Sequence, residues 1–98
     1  MSSLHPDTRV TPNERVMLTE LGDGTGVLLH LDTKFYYTLN PTGFFVWKFM
    51  NQRSKSLGEL VGALTREFEI DPSTAALDLE ALLSDLSGEK LVVVLPAG

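Results

Sequence analysis

The chain has 98 residues, 43% of them apolar, no cysteine and a net charge of −5. That length fits one domain with a single modest core, and the missing cysteine excludes disulfides and thiolate metal sites. No apolar run approaches the roughly 20 residues of a membrane span, and the opening "MSSLHPD" lacks the basic and apolar regions of a signal peptide, so the sequence reads as cytoplasmic.

In chain order, residues 1–9 are expected to be a flexible end. "ERVMLTEL", Glu14 to Leu21, predicts a strand, and "GVLLHL", Gly26 to Leu31, predicts a second. The "GDGTG" between them joins strand to strand rather than strand to helix. It therefore reads as a hairpin turn on Asp23-Gly24, not as a phosphate cradle. Asp32-Thr33-Lys34 is a second tight connection, into a third strand from Phe35 to Leu39. Asn40-Pro41 supplies an N-cap acceptor and a proline at the first helical position, which predicts a helix from Pro41 to about Asn51. Its apolar residues face nearly every direction, so it belongs at the centre of the fold, with Phe44, Trp47 and Phe49 in the core. Ser56 and Glu59 form a capping-box pattern that opens a helix from Leu57 to about Phe68. Asp71-Pro72 repeats the cap-and-proline signal for a third helix ending near Ser87, with Gly88 as its left-handed C-terminal residue. Its inward stripe is expected from Ala75, Leu79, Leu82 and Leu86. "LVVVL", Leu91 to Leu95, closes the chain as a short strand or an extended tail. The expected fold is α+β and winged helix-turn-helix-like, a three-stranded antiparallel sheet followed by three helices.

The sequence offers little to a catalyst. His5 and His30 stand away from carboxylates at ligand spacing, and His30 reads as a polar residue on one face of a strand. No metal, cofactor or catalytic residue is expected. A winged-helix architecture suggests nucleic acid, whose phosphates require Lys and Arg on the recognition helix. Here Glu67 to Glu89 holds seven acidic residues and no basic ones. Phosphate would be repelled from that surface.

Protein or peptide recognition remains. Seven of the eight aromatic residues fall between Phe35 and Phe49. The strand "FYYTL" enters the meander last and so lies at a sheet edge, without the charge, proline or bulge that usually blunts one. Such an edge is either covered by the chain itself, paired with a second copy, or open to a partner strand. Phe35, Tyr37 and Leu39 share one face, Tyr36 and Thr38 the other. Only alternate residues of an edge strand turn their amides outward, and the sequence leaves open which set does.

The run "VLLHLDTKFYYTLNPTGFFVWKFM", followed by "SLGELVGALTREFEIDPSTAALDLEALLSDL" and a short apolar end, resembles the PqqD-like proteins. It is most similar to the stand-alone precursor-recognition proteins of lasso-peptide pathways. The likeness covers roughly residues 10–95 and rests on an ordered set of features: the aromatic third strand, Leu39-Asn40-Pro41, Asp71-Pro72 and the Leu-rich third helix. The resemblance implies a non-catalytic domain that binds the leader segment of a ribosomally made precursor peptide. The leader lies as an added strand between the third strand and the third helix, and is presented to a leader peptidase or other modifying enzyme. By the same analogy Phe35, Tyr36, Tyr37 and Thr38 supply the receiving strand. Ala75, Asp78, Leu79, Leu82, Asp85 and Leu86 supply the facing wall. No nucleic-acid or membrane partner is implied, and the oligomeric state stands open between a monomer and an edge-mediated dimer.

Overall fold

The computed structural model describes residues 8–51 and 55–95. Most of the end expected to be flexible lies outside the described residues. Its last two positions are held, Thr8 being buried and Arg9 opening a strand.

The predicted meander forms from β2 (Val16–Glu20), β3 (Gly26–His30) and β4 (Tyr36–Leu39), paired antiparallel in that order. Two tight turns set its register. Gly22 and Gly24 take φ of 86° and 87°, values that glycine adopts without Cβ strain, while the Asp23 carboxylate accepts the Thr25 amide at 3.1 Å. In the second turn Lys34 takes the left-handed conformation. His30 is buried, so the reading of it as merely a polar strand residue is incomplete. Its Nδ1 accepts the Asp32 amide at 3.1 Å and holds the turn closed from beneath. The Arg15 guanidinium, 2.9 Å from Asp32, ties the start of β2 to the same turn.

Three helices follow, each capped as its sequence requires. α1 (Pro41–Met50) begins where Asn40 accepts the Gly43 amide at 2.8 Å. α2 (Leu57–Phe68) begins with a reciprocal capping box between Ser56 and Glu59. α3 (Pro72–Gly88) begins at Asp71, whose carboxylate accepts the Ser73 amide at 3.2 Å. The expected ending of α3 needs correction. Gly88 is the last helical residue, and the left-handed position is Lys90, at φ 60°. The Leu91 amide donates to the Leu86 carbonyl at 2.8 Å and the Lys90 amide to Ser87 at 3.0 Å. This pair of bonds is a Schellman closure, which satisfies two carbonyls that the helix end leaves open.

A second sheet was not anticipated. β1 (Arg9–Pro12) pairs antiparallel with both β5 (Lys55–Ser56) and β6 (Val92–Leu95), in the order β5-β1-β6. The apolar end of the chain is thus a true strand, and it covers a different sheet from the meander. α1 packs against both sheets and α2, while α3 packs against α2 and β6. Trp47, 2% exposed, sits at the centre with Leu28, Leu39, Met50, Leu64 and Leu86. Phe44 and Phe49 pack against that core half-buried.

Candidate functional site

Among the described residues β4 has one ladder partner, β3, in the register Gly26↔Leu39 to Leu29↔Tyr36. The His30 amide donates to the Phe35 carbonyl at 3.0 Å, which extends that register by one bonded pair. Antiparallel pairs alternate between bonded and non-bonded. Tyr37 and Leu39 therefore direct their backbone groups to β3, and Tyr36 and Thr38 direct theirs to the open edge. The other side of β3 agrees, because the Leu31 amide donates to Arg15 at 2.8 Å in the register shared with β2. That leaves Gly26, Leu28 and His30 to serve β4. Tyr36 and Thr38 thus hold the outward-facing amides and carbonyls of β4.

Beside this edge runs a groove. One hollow of about 360 Å³ lies between Tyr37, Asn40, Thr42 and Gly43 on one side and Asp78, Ala81, Leu82 and Asp85 on the other. A second, of about 300 Å³, continues it past Thr25, Thr38 and Pro41. Both touch Tyr37, Asn40 and Leu82, which makes them one channel. The floor comes close at Gly43, where an added Cβ would stand 3.2 Å from Leu39 and 3.5 Å from Leu82. A larger residue there would narrow the channel from below.

Tyr37 spans the groove at one point, its hydroxyl donating to Asp85 Oδ2 at 3.3 Å. Burial, and then the charge of Asp85 and the bond to it, raises the Tyr37 phenol above its ordinary value. Tyr36 lies instead on the outer face of the sheet and is 68% exposed, in one row with Leu29 and the exposed Met17. Phe35 is also exposed, just before the strand begins.

The residues expected on the helix wall divide into two groups. Asp78, Leu82 and Asp85, spaced i, i+4, i+7, face the channel. Ala75, Leu79 and Leu86 do not: they are buried in the core, where Leu83 rather than Leu82 completes their stripe. Their expected place on the wall is corrected accordingly, since a helix cannot present both adjacent stripes to one groove. Asn40, Thr42, Gly43 and Ala81 also line the channel and were not expected to. The sequence marks Asn40 only as a cap, and nothing in the local pattern marks the other three.

The channel lining contains two carboxylates and no Lys or Arg. Among the described residues no cluster of three His, Asp or Glu is placed to hold a metal, and no helix is long and apolar enough to cross a membrane. A further hollow of about 260 Å³ lies between α2 and α3, lined by Leu57, Val61, Leu79 and Leu83 among others. It is a crevice between packed helices, apart from the open strand edge.

Residues 25–92 match the profile of the family described as Coenzyme PQQ synthesis protein D (PqqD). Among curated proteins none matches the sequence. Two solved structures share the fold. One, described as TbiB1 in complex with the TbiA(beta) leader peptide, is 29% identical with a TM-score of 0.76, covering 84% of this chain and 93% of that one. The other, described as lasso peptide synthetase B1 complexed with the leader peptide, is 21% identical with a TM-score of 0.72 and supports the fold alone, over 86% of this chain and 96% of that one.

Proposed function

The chain belongs to the PqqD family, and on that premise we propose that it is a non-catalytic carrier for the leader segment of a ribosomally synthesised precursor peptide. The leader adds as a strand along β4, its side chains alternating between the channel and the outer face of the sheet. One observation carries this reading: the backbone groups of Tyr36 and Thr38 face an open edge beside a preformed channel. Main-chain hydrogen bonds then supply affinity, and the channel supplies selectivity. TbiB1, similar in sequence and fold, is described in complex with a leader peptide, which is the occupant this edge suits.

The site is proposed to comprise Tyr36, Tyr37 and Thr38 on the strand, with Phe35 at its start, and Asp78, Leu82 and Asp85 on the helix. Ala75, Leu79 and Leu86 support the wall from within. The bound leader is presented to a processing enzyme, a leader peptidase of the lasso-peptide type. Duplex nucleic acid is disfavoured because α3 exposes Asp78, Glu80 and Asp85 without a basic residue along its length. The test is amide hydrogen exchange with a synthetic leader peptide that binds the full chain saturably. Leader binding should slow exchange at Tyr36 and Thr38 and leave Tyr37, already paired with β3, little changed. Saturable binding without protection at Tyr36 and Thr38 would place the leader elsewhere.

A further inference from the structure

The described residues include four strands at sheet edges: β2, β4, β5 and β6. β2 carries Glu20 and follows Glu14 and Arg15, and β5 has only two residues. Both are blunted in the ways natural edges usually are. β6 is not. Leu91 to Leu95 contains neither charge nor proline, and Val93, Val94 and Leu95 are all exposed, Val93 by 42%. An uncharged, apolar strand whose outer edge has no partner among the described residues is a template for another strand, and the channel beside β4 leaves this one unexplained.

Its hydrogen-bonding phase is fixed. The Asn13 amide donates to the Leu91 carbonyl at 3.0 Å, one pair beyond the register Pro12↔Val92 to Arg9↔Leu95. By alternation Val93 and Leu95 bond to β1, and Val92 and Val94 turn their amides and carbonyls outward. Pro12, which has no amide to give, lies opposite Val92 at a non-bonded position and so costs this ladder nothing.

We propose that the outer edge of β6 binds a second copy of this chain, joining two three-stranded sheets into one continuous sheet across a two-fold axis. The absence of charge along this edge favours this occupant. The segment offers no charged group to attract a basic or acidic partner, so the approaching strand must itself be uncharged and apolar. The chain supplies such a strand in β6 itself. Antiparallel pairing of Val92 with Val94 of the other copy, and the reverse, satisfies all four outward groups of each strand. Val93 then faces its own copy at the two-fold, in a non-bonded pair where side chains approach closest. The contact is short of the roughly 1,600 Å² of a standard interface, so association depends on concentration. Each copy carries −5, and added salt screens that repulsion and strengthens the dimer. Leader binding uses a different edge and proceeds in either state.

Sedimentation velocity tests this on the full chain, from about 5 to about 300 μM at low and moderate salt, a range suited to a weak interface. The parent should shift from monomer toward dimer as concentration and salt rise. Val93→Lys, an exposed position, sets two like charges opposite each other and should weaken association at least about tenfold while circular dichroism stays unchanged. Val94→Pro removes an outward donor without touching the β1 ladder and should act likewise. A parent that stays monomeric throughout overturns the proposal. So does a dimer that survives both variants, or one that is lost instead in Tyr36→Pro, which alters only the β4 edge. Leader binding measured on Val93→Lys should match the parent, so failure of this inference is separable from failure of the carrier reading.

Discussion

The two sheets reach the same size by opposite routes. β2, β3 and β4 follow one another along the chain, each turn setting the register of the next pair. In the other sheet Arg9 pairs with Ser56 on one side and Leu95 on the other, so the strand near one end waits for residues near the middle and the far end. Local pairing closes short loops at low entropic cost; the second sheet pairs residues far apart in the chain and so closes long ones. The meander therefore sets its register from contacts local in sequence and keeps a spare edge to lend. The other sheet clasps the finished fold.

The sharpest test of that difference is a pair of prolines one residue apart. Tyr37 belongs to the pairs that bond with Leu28, so Tyr37→Pro deletes a ladder bond inside the meander and should destabilise the protein by about 3 kcal/mol or more, a large share of an ordinary stability of roughly 5–15 kcal/mol. Tyr36 turns its amide outward, so Tyr36→Pro should stay folded. It should lose leader binding by at least about tenfold, because one bond is removed and the ring obstructs the incoming strand. Circular dichroism and fluorescence polarisation read the two effects. A folded, binding-competent Tyr36→Pro would remove strand addition at β4.

A smaller effect should separate the sheets themselves. Val10 is fully buried on the central strand of the clasp. Val10→Ala removes two methyl groups and leaves a cavity, for a loss of about 2 kcal/mol in urea unfolding. Leu29→Ala, on the half-buried outer face of the meander, should cost less than about 1 kcal/mol. Hydrogen exchange in Val10→Ala should rise across β1, β5 and β6 together before it rises in β3. Uniform loosening of both sheets would mean that they do not open as separate units.

Sequence reasoning followed the same divide. The meander was legible because strand alternation, Asp23-Gly24 and Asp32-Thr33-Lys34 all act locally. The helices were legible from Asn40-Pro41, the Ser56/Glu59 box and Asp71-Pro72, each completed within one turn. β1 was not, since four residues ending in Pro12 carry no period, and their partners lie far along the chain. The rotation of α3 was not legible either. Leu82 and Leu83 are adjacent and chemically identical, and only packing against α2 and β6 decides that Leu83 enters the core and Leu82 lines the channel. Gly88 misled for a related reason. Glycine favours the left-handed end position, but the apolar anchor Leu91 sets the closing turn so that Lys90 occupies it.

Leu82 then offers a test confined to the meander side. Leu82→Glu adds a third carboxylate to a wall that already holds Asp78 and Asp85. Leader binding should weaken about tenfold, and the loss should persist when salt screens the added charge, because the apolar contact is gone as well. Val93→Lys, on the clasp, should leave that affinity within about twofold of the parent, since surface changes away from a site rarely couple to it. Equal losses from both would show that the two sheets share one binding surface.

The smallest expected effect concerns the hydrogen bond from Tyr37 to Asp85 that crosses the channel. Burial, followed by the Asp85 charge, raises the Tyr37 phenol above its ordinary value of 10.0. The folded protein thus holds that proton more tightly than the unfolded chain does. The stability so gained is fully present below about pH 10 and is lost as pH rises through the folded value. Tyr37 is only partly buried, so solvent screens the effect and the loss should be modest. Urea midpoints measured between pH 8 and pH 11 should fall slightly more steeply for the parent than for Tyr37→Phe, which has no proton to lose. Leader binding that enters the channel should displace the hydroxyl from Asp85 or seal it from water, so the tyrosinate absorbance of Tyr37 should shift when leader is added. An alkaline titration of Tyr37 unmoved by saturating leader would mean that the peptide pairs with the edge and leaves the channel floor empty.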